Sequence, residues 1–523
     1  MPFGTTLHSH GIQQQGTPWS DGVPGLSQTL IPSGGSFTYK WTATHYGTYW
    51  YHGHSKGQLM DGFYGPIYIR PAPGVATPFG LISSDSGQKA AMKKAFNNPN
   101  MMMITDWSHF TSQEIRDISV SANIDPFCMD SILINGKGSV NCQDVAFLQT
   151  LIPPPLVPLL NGLPYSDKGC MPLESPVGQT NTTHSLELVP SSMWNNCTAT
   201  KSPNEVIQAD PRTGWVNLNW ISSSSVDELT VSIDGHSMWV YAVDGLFIKP
   251  QPVQAMTFPH GSRYSTLIKL DQAPGDYTIR VASSGLNQKV SGFGTLSYDN
   301  GHRKPINVKP FIDYGGVNTT ASVIFFNAAL ASPFISSPPA QTADVTHFLA
   351  LNRVADAWVW SLNGSSFGPP LELRKPLLFD PTSAIPNLSI LSNNGTWIDL
   401  IMVLGGLQPS HPIHKHSNKG YLIGQGVGQF NYSSVVEAMK EIPQFFNLVD
   451  PPLVDTYYTP PTLGAGSWQI IRYQVVNPGA FFLHCHINPH LEGGMGIALM
   501  DGIDKWPKIP REYALNPKIV IEP

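Results

Sequence analysis

The stretch FFLHCHINPHLEGGMG, at residues 481–496, sets one cysteine between two histidines and adds a histidine and a methionine soon after it. The thiolate of Cys485, the imidazole of His490 and the thioether of Met495 form the soft ligand set that a blue electron-transfer copper takes from a protein. Successive side chains of a strand point to opposite faces, so the histidines on either side of Cys485 face away from it. One thiolate can therefore connect two metal sites.

The chain contains four His-x-His pairs, which are His8 with His10, His52 with His54, His414 with His416, and His484 with His486. In a strand this spacing puts both imidazoles on one face, so four pairs brought together offer eight nitrogens, which suit three copper ions. A single such pair is common on a protein surface, but two pairs towards each end of the chain, one of them around a cysteine, predict a metal site. Zinc is the rival metal, but closed zinc sites usually show paired cysteines, which these segments lack. His411, three residues before the third pair, is the predicted second nitrogen ligand beside Cys485 and His490.

These segments resemble the copper-binding motifs of the multicopper oxidases, the family of laccases, ascorbate oxidases and ferroxidases. The similarity extends over nearly the whole chain, through the segments WSDGVPGLSQTLIPSGGSFTYKW, GTYWYHGH, GQLMDGFYGPIYI and SILINGKG. The resemblance implies a laccase-like oxidase of the fungal type. Such an enzyme couples the one-electron oxidation of phenolic or related aromatic substrates to the four-electron reduction of O2 to water.

The resemblance also implies four copper ions per chain and a ligand set for each. The type 1 copper would be bound by His411, Cys485 and His490, with Met495 as its axial ligand. The type 2 copper would be bound by His8 and His414. The binuclear type 3 pair would be bound by His10, His52, His54, His416, His484 and His486. Electrons taken up at the type 1 site would then pass from Cys485 through the two histidines beside it.

Five further expectations concern single side chains near these motifs. Met495 predicts a moderate type 1 potential, because a sulfur ligand stabilises oxidised copper more than a leucine would. Asp21 is a candidate proton donor to the histidine cluster, with a turn-forming Asp-Gly as the equal alternative. His490 is expected to receive electrons from the reductant at the surface. Glu492 is expected to cap a helix or form a hydrogen bond, and Asp244 lies in the region that often lines the family's substrate pocket.

The expected fold class is all-β. The chain has 523 residues, of which 47 are glycine and 47 proline, and its apolar runs are short and alternating, as in VNLNW, LTVSID and YTIRVAS. This pattern is typical of β-sandwiches, and with the resemblance it predicts three cupredoxin-like Greek-key domains. The expected boundaries are 1–97, 98–310 and 311–523. Domain one would include a helical insertion at about 75–99, domain two would have no copper motif, and domain three would carry the type 1 site and share the three-copper cluster with domain one.

Charge and hydropathy limit the partners. The net charge is −6 and the chain has no basic clusters, which argues against nucleic acids and anionic membranes. No apolar run reaches the roughly 18 residues of a membrane span. We expect a monomer whose partners are O2 and a small phenolic or aromatic reductant.

Cysteines and sequons indicate a secreted glycoprotein. Cys128, Cys142, Cys170 and Cys197 predict two disulfides with three possible connectivities, with free buried thiols as the alternative. Seven Asn-x-Ser/Thr sequons begin at Asn181, Asn196, Asn318, Asn363, Asn387, Asn394 and Asn431. The first copper motif begins at residue 8, without the signal peptide and the strands that precede it in the family. We therefore expect that the native N-terminal segment is missing and that the first sandwich is truncated.

Three interpretations remain open on the sequence alone. A laccase-like oxidase is preferred. A metallo-oxidase such as a ferroxidase, or an ascorbate oxidase, is the alternative enzyme. The alternative without activity is a copper-binding relic that an incomplete first domain prevents from turning over.

Overall fold

A computed structural model describes the chain over residues 3–55, 57–175, 183–298 and 304–513. Asn181, the first of the sequons, lies outside these residues. The chain forms two compact units. The terminal unit comprises residues 1–45, 49–67 and 337–523, and the middle unit comprises residues 46–48 and 68–336. All of the predicted metal ligands belong to the terminal unit.

The described chain is mostly β, as the alternating apolar pattern predicts. In chain order the strands are β1 (Leu7–His10), β2 (Gly47–Gly53), β3 (Tyr64–Ile69), β4 (Asn100–Trp107), β5 (Ser131–Ile134), β6 (Glu205–Gln208), β7 (Trp215–Ser222), β8 (Leu229–Ile233), β9 (Met238–Val243), β10 (Leu246–Val253), β11 (Ala255–Phe258), β12 (Arg263–Lys269), β13 (Asp276–Ser283), β14 (Ser291–Ser297), β15 (Val345–Arg353), β16 (Trp360–Ser361), β17 (Ser389–Ser392), β18 (Trp397–Leu404), β19 (Leu407–Gln408), β20 (Pro412–Lys415), β21 (Gly420–Val427), β22 (Leu453–Val454), β23 (Thr456–Tyr458), β24 (Thr462–Leu463), β25 (Ser467–Gln474), β26 (Gly479–Cys485) and β27 (Gly496–Asp501).

The α-helices are short and lie between the strands. They are α1 (Ser86–Phe96), α2 (Ser112–Ala122), α3 (Val145–Thr150), α4 (Ser191–Trp194), α5 (Pro369–Glu372), α6 (Val435–Glu441) and α7 (Asn488–Glu492). Helix α1 covers the whole GQKAAMKKAF segment; the Asp85 side chain caps its N-terminus by accepting a hydrogen bond from the amide of Gln88. No helix among the described residues is both long and apolar enough to cross a membrane.

The terminal unit contains two larger sheets that hold the C-terminal motifs. Their strand orders are β16-β15-β18-β25-β21-β22 and β17-β27-β26-β20-β23. The two sheets meet where the Tyr473 hydroxyl of β25 donates a hydrogen bond to a carboxylate oxygen of Asp501 in β27, at 3.0 Å. A three-stranded sheet, β1-β2-β3, carries the N-terminal motifs, and β19 pairs with β24.

Strand β26 is the central strand of its sheet. Every residue of its sequence GAFFLHC is buried, as expected for a strand that is covered on both faces. It pairs antiparallel with β20, where Ile413 faces Cys485 and His414 faces His484. The pairing therefore brings the third and fourth histidine pairs side by side.

The middle unit is also built from two sheets, with strand orders β10-β9-β12-β7-β4-β5 and β11-β8-β13-β14-β6. The sheets approach closely at Gly292 of β14, where an added Cβ would lie 2.4 Å from the carbonyl oxygen of Ile132 in β5. Only glycine fits at such a distance. None of the predicted metal ligands lies in this unit.

Two disulfides join segments of the middle unit. Cys128 pairs with Cys170, and Cys142 pairs with Cys197. Of the three connectivities that the sequence allows, this is the one the chain adopts, and the alternative of free buried thiols is wrong. Cys485 forms no disulfide within the described chain, and it is buried.

Removing the Cys142–Cys197 disulfide should destabilise the middle unit. The bridge closes a loop with a sequence separation of 55, for which chain entropy predicts a loss of about 4 kcal/mol in the free energy of unfolding. The double variant Cys142→Ser/Cys197→Ser should therefore unfold at lower denaturant concentration than the wild type. Peptide mapping without reduction is the control, and recovery of a Cys128–Cys142 or Cys128–Cys197 peptide would contradict the pairing.

Candidate metal centres

The eight histidines of the four His-x-His pairs form one buried cluster. In the pairing of β1 with β2, His8 lies opposite His52, and in the pairing of β20 with β26, His414 lies opposite His484. All eight side chains are 5% exposed or less. The strand alternation that the sequence predicts therefore places each pair of imidazoles on one face, and the two strand pairings bring the faces together.

The imidazoles lie close enough to share metal ions. The ring centroids of His8 and His416 are 3.8 Å apart, and those of His10 and His414 are 3.7 Å apart. Three sets of three histidines each have nitrogen atoms that lie within 4.8 Å of one another. These sets are His8 with His414 and His416, His8 with His10 and His52, and His54 with His416 and His484.

Backbone carbonyls determine which nitrogen of each ring faces the cluster. The Nδ1 atoms of His8, His52, His414 and His484 lie 2.7–3.0 Å from the carbonyl oxygens of Asp21, Gly53, Asp455 and Cys485. A carbonyl oxygen can only accept, so each Nδ1 carries the proton and donates it, and each Nε2 keeps a lone pair. This is the arrangement by which proteins orient metal-binding imidazoles.

Several of these lone pairs have no protein partner. The Nε2 atoms of His8, His52, His54 and His414 are buried and accept no hydrogen bond from any described residue. An unsatisfied buried polar atom costs free energy, and here four of them belong to one cluster. The donor set therefore fits metal ions that bind to the Nε2 atoms.

His416 and His484 also have Nε2 atoms that fit a metal ion, because these two atoms face each other. The Nδ1 atom of His416 lies 2.9 Å from a carboxylate oxygen of Asp21, and that of His484 donates to the carbonyl of Cys485. With both Nδ1 protons committed, two Nε2 lone pairs face each other at 3.2 Å. A cation near both atoms removes this repulsion.

Burial favours the neutral form of five rings of the cluster. Desolvation, with the neighbouring histidines adding to it, lowers the pKa of His54 to about 3. The same causes hold the pKa values of His52, His414, His416 and His484 well below the usual value of histidine. Neutral imidazole is the form that binds a metal.

A second, smaller centre contains Cys485, His411 and His490. The Cys485 Sγ atom lies 3.7 Å from Nδ1 of His411 and 3.6 Å from Nδ1 of His490, and the two Nδ1 atoms are 3.3 Å apart. All three residues are buried, and His490 is 4% exposed. Met495 is fully buried beside them, and its backbone bonds to both Cys485 and His490. The four residues predicted from the spacing of the motif thus lie together.

Sequence reasoning did not find the aromatic residue that packs on this centre. The Trp360 ring is fully buried, with its centroid 4.2 Å from that of His490 and 5.1 Å from that of His411. The Trp360 amide donates to the carbonyl of Gly493, and a Cβ on Gly493 would lie 2.1 Å from the carbonyl oxygen of Trp358. The first glycine of the GGMG sequence is thus required by the close approach of segment 358–360, which covers the centre. A lone tryptophan in a β-rich segment gave no signal of this role.

Two aspartates border the histidine cluster. Asp21, which the sequence predicts as a candidate proton donor, is fully buried, and its Oδ1 atom accepts no hydrogen bond from the described residues. Asp455, which sequence reasoning missed, has a carboxylate oxygen 3.6 Å from Nε2 of His10 and forms an ion pair with Lys419. No spacing links Asp455 to a motif, because β23 brings its neighbourhood to β20 only in the folded sheet.

The two remaining candidate residues, Glu492 and Asp244, form hydrogen bonds and ion pairs within their own segments of the fold. Glu492 is buried in α7 and accepts a hydrogen bond from the Asn488 side chain at 2.7 Å. Asp244 belongs to the middle unit, where its carboxylate accepts a hydrogen bond from the amide of Arg263 at 3.0 Å and lies 3.4 Å from the Arg263 guanidinium.

The fold and the two donor sets are those of a cupredoxin-like copper protein, and comparisons with known proteins identify its family. Three family models, each described as multicopper oxidase, match residues 1–74, 98–301 and 345–505. Laccase abr2 of Aspergillus fumigatus is 43% identical over 97% of this chain and 87% of the relative. Multicopper oxidase GIP1 of Gibberella zeae is 43% identical over 98% of this chain and 78% of the relative.

A solved structure shows the same fold. The laccase from Botrytis aclada has a TM-score of 0.70 at 22% identity, over 98% of this chain and 80% of that one. The chain belongs to the multicopper oxidase family, and it is a copper-dependent oxidoreductase. The predictions of the family, of an all-β cupredoxin-like fold, of copper and of an oxidase that uses O2 and an organic reductant are confirmed.

Proposed function

We propose that this oxidase is laccase-like and oxidises phenolic or related aromatic substrates by one electron while reducing O2 to water. The observation that carries the proposal is the separation of the two donor sets on one strand. Cys485 ends β26, while His484 in β26 belongs to one of the sets of three histidines, and the ring of His486 just after it lies 5.0 Å from that of His10 and 5.2 Å from that of His52. The strand thus provides a short covalent connection between a centre that takes up single electrons and a centre that uses four.

The ligand assignment that we propose follows the family pattern. Four copper ions would be bound, one by His411, Cys485 and His490 with Met495 as axial ligand, one by His8 and His414, and two by His10, His52, His54, His416, His484 and His486. The buried Nε2 atoms and the sets of three histidines support this assignment. When bound, copper supplies reversible one-electron storage at each site.

An organic reductant is favoured over a metal ion by the groups around the smaller centre. The structure places the aromatic ring of Trp360 against His490 and the neutral amide of Gln408 against His411. Binding of ferrous iron would favour carboxylates at these positions, since hard cations take oxygen anions as ligands. The carboxylate of Glu492 already accepts a hydrogen bond from Asn488.

Further proposals concern the state of the protein. We propose a secreted, glycosylated monomer with three sandwich domains at 1–97, 98–310 and 311–523. The two disulfides and the exposed asparagines of five sequons, Asn196, Asn318, Asn387, Asn394 and Asn431, support secretion. Glycan mapping and light scattering of the protein from its native medium test these points, and an unglycosylated dimer would contradict them.

Oxygen uptake by the copper-loaded chain tests the function. We expect blue absorption, four copper ions per chain and uptake of O2 with a simple diphenol. The Cys485→Ser variant should lose the blue absorption and the turnover but keep copper in the histidine cluster, because the eight imidazoles remain. Uptake with ferrous iron alone would favour the ferroxidase, uptake with ascorbate alone the ascorbate oxidase, and copper binding without any uptake the relic.

Met495→Leu should raise the reduction potential of the blue copper. Leucine has nearly the volume of methionine but offers no axial ligand, so oxidised copper loses stabilisation. Redox titration of the blue absorption measures the shift. Met500, which is also fully buried, provides the matched control: Met500→Leu should leave the potential unchanged. An unchanged potential in Met495→Leu would refute axial ligation.

Asp21→Asn should slow the reoxidation of the reduced enzyme by O2. The amide can still accept the hydrogen bond from His416, but it supplies no proton, and a positioned proton donor contributes about a hundredfold or more. Stopped-flow mixing of the fully reduced enzyme with O2 gives the rate. Copper content and the rate of reduction by a diphenol should stay at wild-type values. A wild-type rate of reoxidation in Asp21→Asn would mean that Asp21 only forms the Asp-Gly turn and donates no proton.

A further inference from the structure

The Gln408 side chain contacts one ligand of the smaller centre from outside. Its Oε1 atom lies 3.1 Å from Nε2 of His411. Its Nε2 atom donates to the carbonyl of Leu351 at 3.0 Å and to that of Gly405 at 2.7 Å. Gln408 is 8% exposed and His411 is fully buried, so water does not compete for these bonds.

These bonds leave the amide one orientation. A flipped amide would turn its oxygen towards the carbonyls of Leu351 and Gly405, which cannot donate, so Oε1 has to face His411. His411 therefore carries its proton on Nε2 and donates it to Gln408. The Nδ1 atom of His411, which lies 3.7 Å from the Cys485 sulfur, keeps its lone pair.

We infer that Gln408 is a positioning residue of the blue-copper centre, which fixes the tautomer and orientation of His411 and sets its strength as a ligand. The inference rests on the copper assignment proposed above. The hydrogen bond from Nε2 raises the basicity of the imidazole at Nδ1. A more basic ligand stabilises oxidised copper relative to reduced copper. Because the acceptor is a neutral amide, this occurs without an additional buried charge.

The anchors of Gln408 connect this role to the rest of the centre. Leu351 is part of β15, and Arg353 at the end of the same strand pairs with Trp360, whose ring packs on His490. One strand thus supports both imidazoles, through Gln408 for His411 and through Trp360 for His490. Displacing the Gln408 amide should affect the copper centre without changing the sheet.

The variant Gln408→Met removes the acceptor and nearly keeps the volume. We expect the affinity for the type 1 copper to fall by about 10–100-fold, the range found when such supporting groups are lost. We also expect a higher reduction potential and a shifted blue absorption. Titration of the copper-depleted protein with copper alone gives the affinity, and redox titration gives the potential. Gln408→Asn, whose shorter side chain withdraws the acceptor, should shift the potential in the same direction and covers the case in which the methionine variant does not fold.

Gln469 provides a matched control. It is fully buried in β25 of the same unit, and its amide donates to the carbonyl of Tyr458 at 2.8 Å and to Oε1 of Gln425 at 3.2 Å, neither of which belongs to a proposed copper ligand. Gln469→Met should lower thermal stability as Gln408→Met does, but leave the blue absorption and the potential unchanged. A loss of affinity in both variants would reduce Gln408 to a packing role and overturn the inference.

A readout without copper completes the test. Nitrogen-15 NMR of the copper-free protein, labelled at histidine, should show His411 as the Nε2–H tautomer in the wild type and as a mixture in Gln408→Met. A folded Gln408→Met protein with wild-type tautomer, affinity and potential would overturn the inference. If the wild type itself shows no blue copper, the proposed function fails instead, so the two failures are distinguishable.

Discussion

Histidine rings that are buried together have to remain neutral, and each neutral ring has one proton to place. In the cluster, backbone carbonyls of Gly53, Asp455 and Cys485 accept that proton from the rings of His52, His414 and His484. Gly53 and Cys485 lie on strands and Asp455 lies between β22 and β23, so the backbone of the sheets decides which nitrogen faces inward. The orientation of the imidazoles is thus a property of the backbone as much as of the histidines.

The same strands explain why one cysteine can serve two centres. His484 is opposite His414 across the sheet, while Cys485 is opposite Ile413 and turns to the other face. Without this alternation, sulfur and imidazole would compete for one cavity. A shift of one residue in the register would exchange the two faces and remove both centres together. The all-buried sequence of β26 makes such a shift costly, because it would displace a whole packed strand.

The residues that the sequence predicts as ligands lie together in the fold because each histidine pair is set by local strand geometry, which spacing reveals. It did not reveal Asp455, Gln408 or Trp360, because the contacts of their side chains with histidines arise from folding and not from a motif. Gln408 is only three residues from His411, but its orientation depends on the carbonyl of Leu351, on a different strand. The disulfide connectivity was open for the same reason: four cysteines in one region are compatible with three pairings until the loops between them are placed.

The alternation of side chains along β20 also places a charged residue, Lys415, in the core. It lies between His414 and His416 and is therefore directed to the opposite face of β20, where it is fully buried. Its ammonium lies 3.8 Å from Asp501 and 4.2 Å from the centre of the Tyr473 ring, and burial lowers its pKa to about 8. Removing one partner of such a buried pair typically costs about 3–5 kcal/mol, although the intact pair adds little stability. The ammonium also donates to the carbonyl of His416 at 3.2 Å, so the charge that the alternation places in the core fixes the main chain of a histidine that we propose as a metal ligand.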